Sequence, residues 1–172
     1  MSKLLLAPSL AIFALTISGF SSGANADASS SLYVVKSVNV NASATVTWDK
    51  ISKFGDLGAW HPAVAKTEIT AGAEGKKGAK RTLTLQDGGK INEKLTAYNA
   101  KQKTMSYIIT DSVLPVTAYA STLHVYSNGA DKSVVVWEGS FLPKAPADEK
   151  AASDTIAGVY EGGLANLKKI LE

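Results

Sequence analysis

The sequence predicts an α+β domain in which one antiparallel sheet of seven strands packs against a long C-terminal helix. Seven segments of strand length alternate polar and apolar residues or run continuously apolar. Glycine, asparagine and aspartate separate several of these segments, which is typical of hairpin turns. In the last part of the chain the apolar period becomes that of an amphipathic helix. The 172 residues are enough for one such domain.

Residues 1–26 have the three parts of a secretory signal peptide. Lys3 supplies the positive charge, residues 4–20 form an apolar run that Pro8 interrupts, and Ala24-Asn25-Ala26 is a cleavage site of the A-x-A type. The alternative is an uncleaved membrane anchor, but this run is shorter than the ~20 apolar residues that a transmembrane helix needs. We therefore expect a single domain over residues 27–172, exported to the periplasm, with no membrane span after cleavage.

The composition argues against several classes of protein and site. The chain has no cysteine, which removes disulfides, thiolate nucleophiles and Cys-ligated metals. Its two histidines, His61 and His124, argue against an all-protein transition-metal site, and we expect neither a metal nor a cofactor. The net charge of +3 is too small to indicate a nucleic-acid partner, and the export signal argues against one as well.

The exported part begins with a strand and two short helical segments. Residues 32–40 alternate or run apolar, which predicts a strand. Residues 44–54 place Val46 and Ile51 near helical spacing, which predicts a short helix. Residues 55–62 form a second turn or short helix that Pro62 ends.

Six further strands follow, and side-chain parity indicates which face of each is buried. Asp87-Gly88-Gly89 and Asn128-Gly129 are turn signals between neighbouring strands. Successive side chains of a strand point to opposite faces, and on each strand one set is mostly apolar; on the strand at 90–98 this set includes Ala97. We expect these sets to form an inner face, with the strands in meander order and His124 on the outer face. The predicted strands are 64–71, 80–86, 90–98, 104–110, 118–127 and 132–141.

From Pro146 to its end the chain predicts a long amphipathic helix that covers this inner face. Asp148 is its expected N-cap. Gly163 lies in the middle of the apolar face, where we expect it to clear space under the helix, whereas Gly158 and Gly162 project to the back. The apolar face consists of Ile156, Val159, Tyr160, Leu164, Leu167, Ile170 and Leu171.

Two charged residues, Arg81 and Glu93, belong to the inner face. Unpaired buried charges are costly, so we expect them to pair with each other or to face a hydrated void. Counting across the turn pairs Gln86 with Lys90, which places Leu83 opposite Glu93 and Arg81 diagonal to it, within reach of a long side chain.

The polar tips of Tyr107, Tyr119 and Trp137 join Arg81 and Glu93 on the inner face. Apolar walls with a few convergent polar groups are typical of a ligand pocket. The alternative is that these groups are core polar residues whose hydrogen bonds are satisfied internally. The sequence leaves both interpretations open.

A set of residues spread along the chain carries a family resemblance. It consists of Trp48, Trp60-His61-Pro62, Gly78, Arg81, Gly88-Gly89, Glu93, Tyr107, Tyr119, Trp137, Gly163, Leu164 and Leu167. These residues, with the order of the elements, resemble the SRPBCC superfamily, and within it the polyketide cyclase/dehydrase and START-like lipid-transport group. The resemblance covers about residues 31–171. It implies a helix-grip fold, in which the sheet wraps around the C-terminal helix and an apolar cavity lies between them. With its export signal, the chain is similar to MxaD-type periplasmic proteins associated with methanol oxidation.

The resemblance and the residues favour a non-catalytic periplasmic protein that holds a small apolar ligand. Such a protein would carry the ligand or serve a periplasmic oxidation system, with a dehydrogenase or cytochrome as partner and with or without an occupied cavity. The alternative is a cyclase or aromatase-like enzyme in which Glu93 is the base and Tyr107 or Tyr119 the proton donor. The expected ligand-binding residues are Trp60, His61, Arg81, Glu93, Tyr107, Tyr119, Trp137 and Gly163.

The Trp60-His61-Pro62 segment has two interpretations of its own. It either packs a loop over the sheet edge or forms a gate with a titratable contact at the mouth of the cavity. Loop-borne polar and aromatic groups often take part in binding, which supports the gate.

Overall fold

The computed structural model describes residues 30–172, and the predicted signal peptide at 1–26 lies outside the described residues. Two α-helices, a 3₁₀ segment and seven strands occur within residues 30–172. In chain order they are β1 (Leu32–Val40), α1 (Ala44–Ile51), the 3₁₀ segment (Phe54–Ala59), β2 (Val64–Ala71), β3 (Lys80–Leu85), β4 (Lys90–Asn99), β5 (Thr104–Ser112), β6 (Val116–Ser127), β7 (Ser133–Pro143) and α2 (Glu149–Leu171).

The seven strands form one antiparallel sheet in the order β1-β7-β6-β5-β4-β3-β2. Strands β2 to β7 follow the predicted meander, but β1 pairs with β7, with Leu32 opposite Phe141 and Val40 opposite Ser133. The connection from β1 to β2 contains α1 and the 3₁₀ segment and so carries the chain from one sheet edge to the other. Helix α2 packs on the inner face, which confirms the predicted helix-grip α+β fold.

Helix α1 stops at Ile51, three residues before the end that periodicity predicts. The backbone N–H groups of Phe54 and Gly55 donate to the carboxylate of Glu74, at N···O distances of 2.6 and 2.8 Å. This carboxylate comes from the segment between β2 and β3. Because it binds the two donors, a separate 3₁₀ turn begins at Phe54 instead of a continuation of α1.

Helix α2 begins at its predicted cap, where Asp148 Oδ1 accepts a hydrogen bond from the backbone N–H of Ala151 at 2.8 Å. The prediction that Ile170 is covered is wrong, since 43% of its surface is exposed. Periodicity defines the face of a helix but does not show how far the sheet beneath it extends. Within residues 30–172, neither helix combines the length and apolar character that crossing a bilayer requires.

A β-bulge reverses the predicted parity at the end of β4. The register between β4 and β5 shifts between Leu95 and Ala97. Ala97 is therefore exposed, contrary to the prediction, and Tyr98 instead packs on Trp48 with ring centroids 5.6 Å apart. An extra residue on one strand moves all later side chains to the other face, which alternation alone does not reveal.

Candidate functional site

Arg81 and Glu93 lie directly opposite each other on β3 and β4. The predicted register is wrong by two residues, because Leu83 faces Ile91 and not Glu93. A shift of two keeps every side chain on its predicted face. The expected ion pair therefore forms between residues directly opposite each other, and not between the diagonal neighbours that the sequence predicts.

The position of Gln86 explains this shift. Its backbone N–H donates to the carbonyl of Ala63 at 3.0 Å, and its side chain donates to the carbonyl of Pro62 at 3.3 Å. Gln86 thus belongs to the turn and does not pair with Lys90. These contacts come from the segment before β2, and the local turn sequence does not show them.

The Arg81–Glu93 pair is almost completely buried, with 3% and 5% of the two side chains exposed. Arg81 Nε donates to Glu93 Oε2 at 2.5 Å, and Arg81 Nη1 donates to the carbonyl of Phe54 at 2.5 Å. The guanidinium also lies over the rings of Phe54 and Tyr107, 4.1 and 5.1 Å from their centroids. Burial raises the pKa of Glu93, and the charge and hydrogen bond of Arg81 oppose this shift.

An apolar hollow of about 80 Å³ lies between the sheet and α2 and reaches Glu93. A water molecule occupies about 30 Å³ in the liquid and a cavity of about 150 Å³ holds benzene, so this hollow has room for about three to four non-hydrogen atoms. It is lined by Leu57, His61, Ala63, Val64, Leu83, Leu85, Ile91, Glu93, Ile109, Leu114, Tyr119, Ile156 and Val159.

His61 lines this hollow and is itself only 3% exposed. Its Nε2 is 2.9 Å from the carbonyl of Val159 on α2, and its Nδ1 accepts a hydrogen bond from the backbone N–H of Ala63 at 3.2 Å. Only a neutral ring with its hydrogen on Nε2 makes both bonds. Burial lowers the pKa of His61, and the nearby charge of Arg81 acts in the same direction.

The space that Gly163 clears under α2 is filled with aromatic rings. A Cβ at this position would lie 2.6 Å from His61 Cδ2 and 2.9 Å from Trp137 Cζ3. Trp60 packs against Trp137 with centroids 5.6 Å apart, and its carbonyl accepts a hydrogen bond from Asn166 of α2 at 2.9 Å. Trp60 is 2% exposed, which favours the packing interpretation of this segment over an open gate.

A hydrogen-bond chain connects the cavity wall to β7. Ser121 Oγ donates to the carbonyl of Glu138 at 2.7 Å, so the hydroxyl of Tyr160 donates to Ser121 at 3.2 Å. The hydroxyl of Tyr119, 2.7 Å from that of Tyr160, must then donate to it. The indole N–H of Trp137 is shared between Ser121 Oγ at 3.0 Å and the hydroxyl of Tyr107 at 2.9 Å.

This chain holds its tyrosines in the protonated form. Burial is the main cause that raises the pKa of Tyr160 to about 12. Burial also raises the pKa values of Tyr107 and Tyr119 well above the ordinary value. These hydroxyl groups therefore act as neutral hydrogen-bonding groups around neutral pH.

The expected site residues thus divide into two groups. His61, Glu93 and Tyr119 line the hollow, and Arg81 reaches it through Glu93. The remaining four pack beside the hollow or belong to the hydrogen-bond chain: Trp60, Tyr107, Trp137 and Gly163.

Sequence reasoning did not identify Ser121 and Gly139 as parts of this arrangement. A Cβ on Gly139 would lie 2.2 Å from the hydroxyl oxygen of Tyr160, so the absent side chain lets that hydroxyl reach Ser121. The one signal in the sequence is that a serine and a glycine occupy positions of the inner face that are otherwise large and apolar.

Comparisons with known proteins give one family and several structures. Residues 32–172 match the family described as polyketide cyclase / dehydrase and lipid transport. The protein XoxI from Bacillus cereus is 31% identical, with a TM-score of 0.74 over 81% of this chain and 94% of that one. A putative uncharacterised protein from Bacillus thuringiensis is 30% identical, with a TM-score of 0.76 over 81% and 98%.

A more distant neighbour shares the fold alone. The Zhui aromatase/cyclase from Streptomyces sp. R1128 is 14% identical, with a TM-score of 0.69 over 83% of this chain and 94% of that one. No curated protein matches the sequence.

Proposed function

Because the chain belongs to the polyketide cyclase/dehydrase and lipid transport family, we propose that it is a non-catalytic binding protein for a small apolar ligand. The ligand occupies the hollow between the sheet and α2, with Glu93 at its polar wall. The proposal includes export to the periplasm, which rests on the signal peptide predicted at residues 1–26.

The hollow that reaches Glu93 is the observation that carries this proposal. Its walls are almost entirely aliphatic, and its volume of about 80 Å³ suits a ligand far smaller than an aromatic polyketide. Such a ligand buries on the order of 100 Å² of apolar surface, which contributes about 2.5 kcal/mol at ~25 cal/mol per Å². We therefore expect dissociation constants of the order of 10 mM for simple ligands.

A substitution that fills the hollow tests the proposal. Val159 lines it and is half-buried, so Val159→Phe places a ring inside the hollow. Ala151, on the first turn of the same helix, is exposed, and Ala151→Phe adds a ring on the solvent side. Binding of acetone and of 2-propanol is measured by ¹⁵N chemical-shift titration. We expect binding to the wild type and to Ala151→Phe, and at least a tenfold loss in Val159→Phe; absence of wild-type binding by both compounds contradicts the proposal.

A proton-transfer enzyme is the second candidate, and the environment of Glu93 favours it. Burial raises the pKa of Glu93, which is the direction expected of a general base working near neutral pH. The hydroxyl hydrogens of Tyr119 and Tyr160 are committed to the internal chain, which weighs against Tyr119 as the donor. Turnover of a small enone by the wild type, abolished in Glu93→Gln with the melting temperature unchanged, would support the enzyme over the carrier.

An accessory role in periplasmic methanol oxidation is the finer part of the proposal, and its support is the MxaD-type resemblance of the sequence. Its partner would be a dehydrogenase or cytochrome. Affinity capture from a periplasmic extract, with Val159→Phe as a second bait, separates the two roles. Equal capture by both baits indicates a partner that binds independently of the hollow.

A further inference from the structure

The wall of the hollow offers hydrogen-bond acceptance but little donation. His61 Nε2–H donates to the carbonyl of Val159, and the hydroxyl of Tyr119 donates to the hydroxyl of Tyr160. Apart from Glu93, the other lining side chains are aliphatic. Within the described residues, the side chains of the wall therefore present no uncommitted donor to a ligand.

The Glu93 carboxylate is the hydrogen-bond acceptor of this wall. Its Oε2 accepts from Arg81, but its Oε1 has no hydrogen-bond partner among residues 30–172. The side chain is 5% exposed and is part of the cavity wall. Among the described residues no fully buried side-chain oxygen lacks a partner, so Oε1 retains some accessible surface, and a donor brought by a ligand can form a charge-assisted hydrogen bond there.

The charge balance in the wall restricts the ligand further. Arg81 neutralises Glu93, so a cation entering the hollow would lose its hydration without finding an uncompensated negative charge. An anion would meet the Glu93 carboxylate and no free donor. Neutral molecules avoid both costs.

We propose that the ligand is a neutral molecule of about three to four non-hydrogen atoms whose single hydroxyl or N–H group donates to Glu93 Oε1, the rest of the molecule being apolar. This inference rests on the proposed binding function and adds the chemical class of the ligand. It distinguishes alcohols from ketones and ethers of the same size, which only accept hydrogen bonds.

2-Propanol and acetone make the test, because they share one carbon skeleton and differ in donor capacity. Both are titrated into the purified protein at neutral pH, and affinities are read from ¹⁵N chemical shifts. The ¹³C shift of the Glu93 carboxyl is followed in the same samples. We expect 2-propanol to bind at least tenfold more tightly and to move the carboxyl resonance, which acetone leaves in place.

Variants separate the hydrogen bond from packing. Arg81→Met combined with Glu93→Leu replaces the buried pair by apolar side chains, an exchange that proteins often tolerate. We expect it to bind both compounds with equal affinity. If the double variant does not fold, Glu93→Gln replaces it, and we expect this variant to lose part of the preference for the alcohol. Glu68→Gln on exposed β2 is the control and keeps the full preference.

The outcomes distinguish this inference from the function it rests on. Equal affinity of the wild type for the two compounds, or a preference for 2-propanol that survives in the folded double variant, overturns the assignment of Glu93 Oε1 and leaves the binding function intact. If neither compound binds the wild type, the binding function itself is contradicted.

Discussion

Gly163 and His61 fit together so closely that a single methyl group would separate them. The Cβ of an alanine at 163 would lie 2.6 Å from His61 Cδ2, while His61 Nε2 is hydrogen-bonded to the carbonyl of Val159 one turn earlier in α2. The histidine thereby joins the segment before β2 to α2 and forms one wall of the hollow.

We predict that Gly163→Ala destabilises the fold in spite of the higher helix propensity of alanine. Overpacking costs about 1–3 kcal/mol, and both neighbours at this site are rings held by other contacts. Gly162→Ala is the matched control, since its Cβ would have no atom within 4 Å. That variant is expected to gain up to ~1 kcal/mol. Urea unfolding of both variants measures the contrast, and a stabilised Gly163→Ala would contradict this packing.

The stability that His61 contributes should fall as the medium is acidified below about pH 6.5. The pKa of His61 is lowered in the folded protein, so the unfolded chain binds a proton first, near the ordinary value of ~6.5. The neutral ring therefore contributes stability above that pH, and this contribution decreases as pH falls towards the folded pKa. Glu93, whose pKa is raised in the folded protein, acts in the opposite direction, so the contribution of His61 is the difference in free energy of unfolding between wild type and His61→Gln from pH 7.5 to 5.5.

His61→Gln is the control for this pH dependence, because glutamine can still donate to Val159 and does not titrate. Its free energy of unfolding should fall less than that of the wild type as the pH decreases over the same range. An equal slope in wild type and variant would assign the pH dependence to other groups.

Gly139 and Tyr160 should show strong coupling. Gly139→Ala brings a Cβ to within 2.2 Å of the Tyr160 hydroxyl oxygen, so we expect a loss of about 1–3 kcal/mol. Tyr160→Phe removes that oxygen and should relieve part of this cost. A double-mutant cycle by chemical denaturation measures the coupling, and additive effects would show that the two groups do not meet.

Breaking the buried ion pair should cost more than removing it. Arg81→Met alone leaves Glu93 buried without its cation, which typically costs about 3–5 kcal/mol. The combination with Glu93→Leu should recover most of this loss. Thermal and urea unfolding of the two variants give the comparison, and a double variant as unstable as the single one would show that the polar pair itself is required for folding.

The strand pattern and the helix period predicted the architecture because burial of one face dictates both. The Arg81–Glu93 pair also followed from parity. Its register did not, since the position of Gln86 depends on Ala63 and Pro62, which come from another part of the chain. Alternation likewise did not show the bulge that turns Ala97 outwards.

The site was predicted less completely than the fold. The sequence indicated inward polar tips but not their partners, because the bond of Ser121 to Tyr160 depends on how closely α2 approaches the sheet. The close fits at Gly139 and Gly163 are also consequences of that approach. Parity indicates which residues face inward, whereas distances between packed elements decide which of them touch.

A crystal structure of the protein soaked with 2-propanol tests ligand binding in the hollow most directly. We expect electron density for the alcohol between α2 and the sheet, beside Ile156 and Val159, with its hydroxyl within hydrogen-bond distance of Glu93 Oε1. A hollow that stays empty or is closed by side chains, with the alcohol bound elsewhere or not at all, would contradict it.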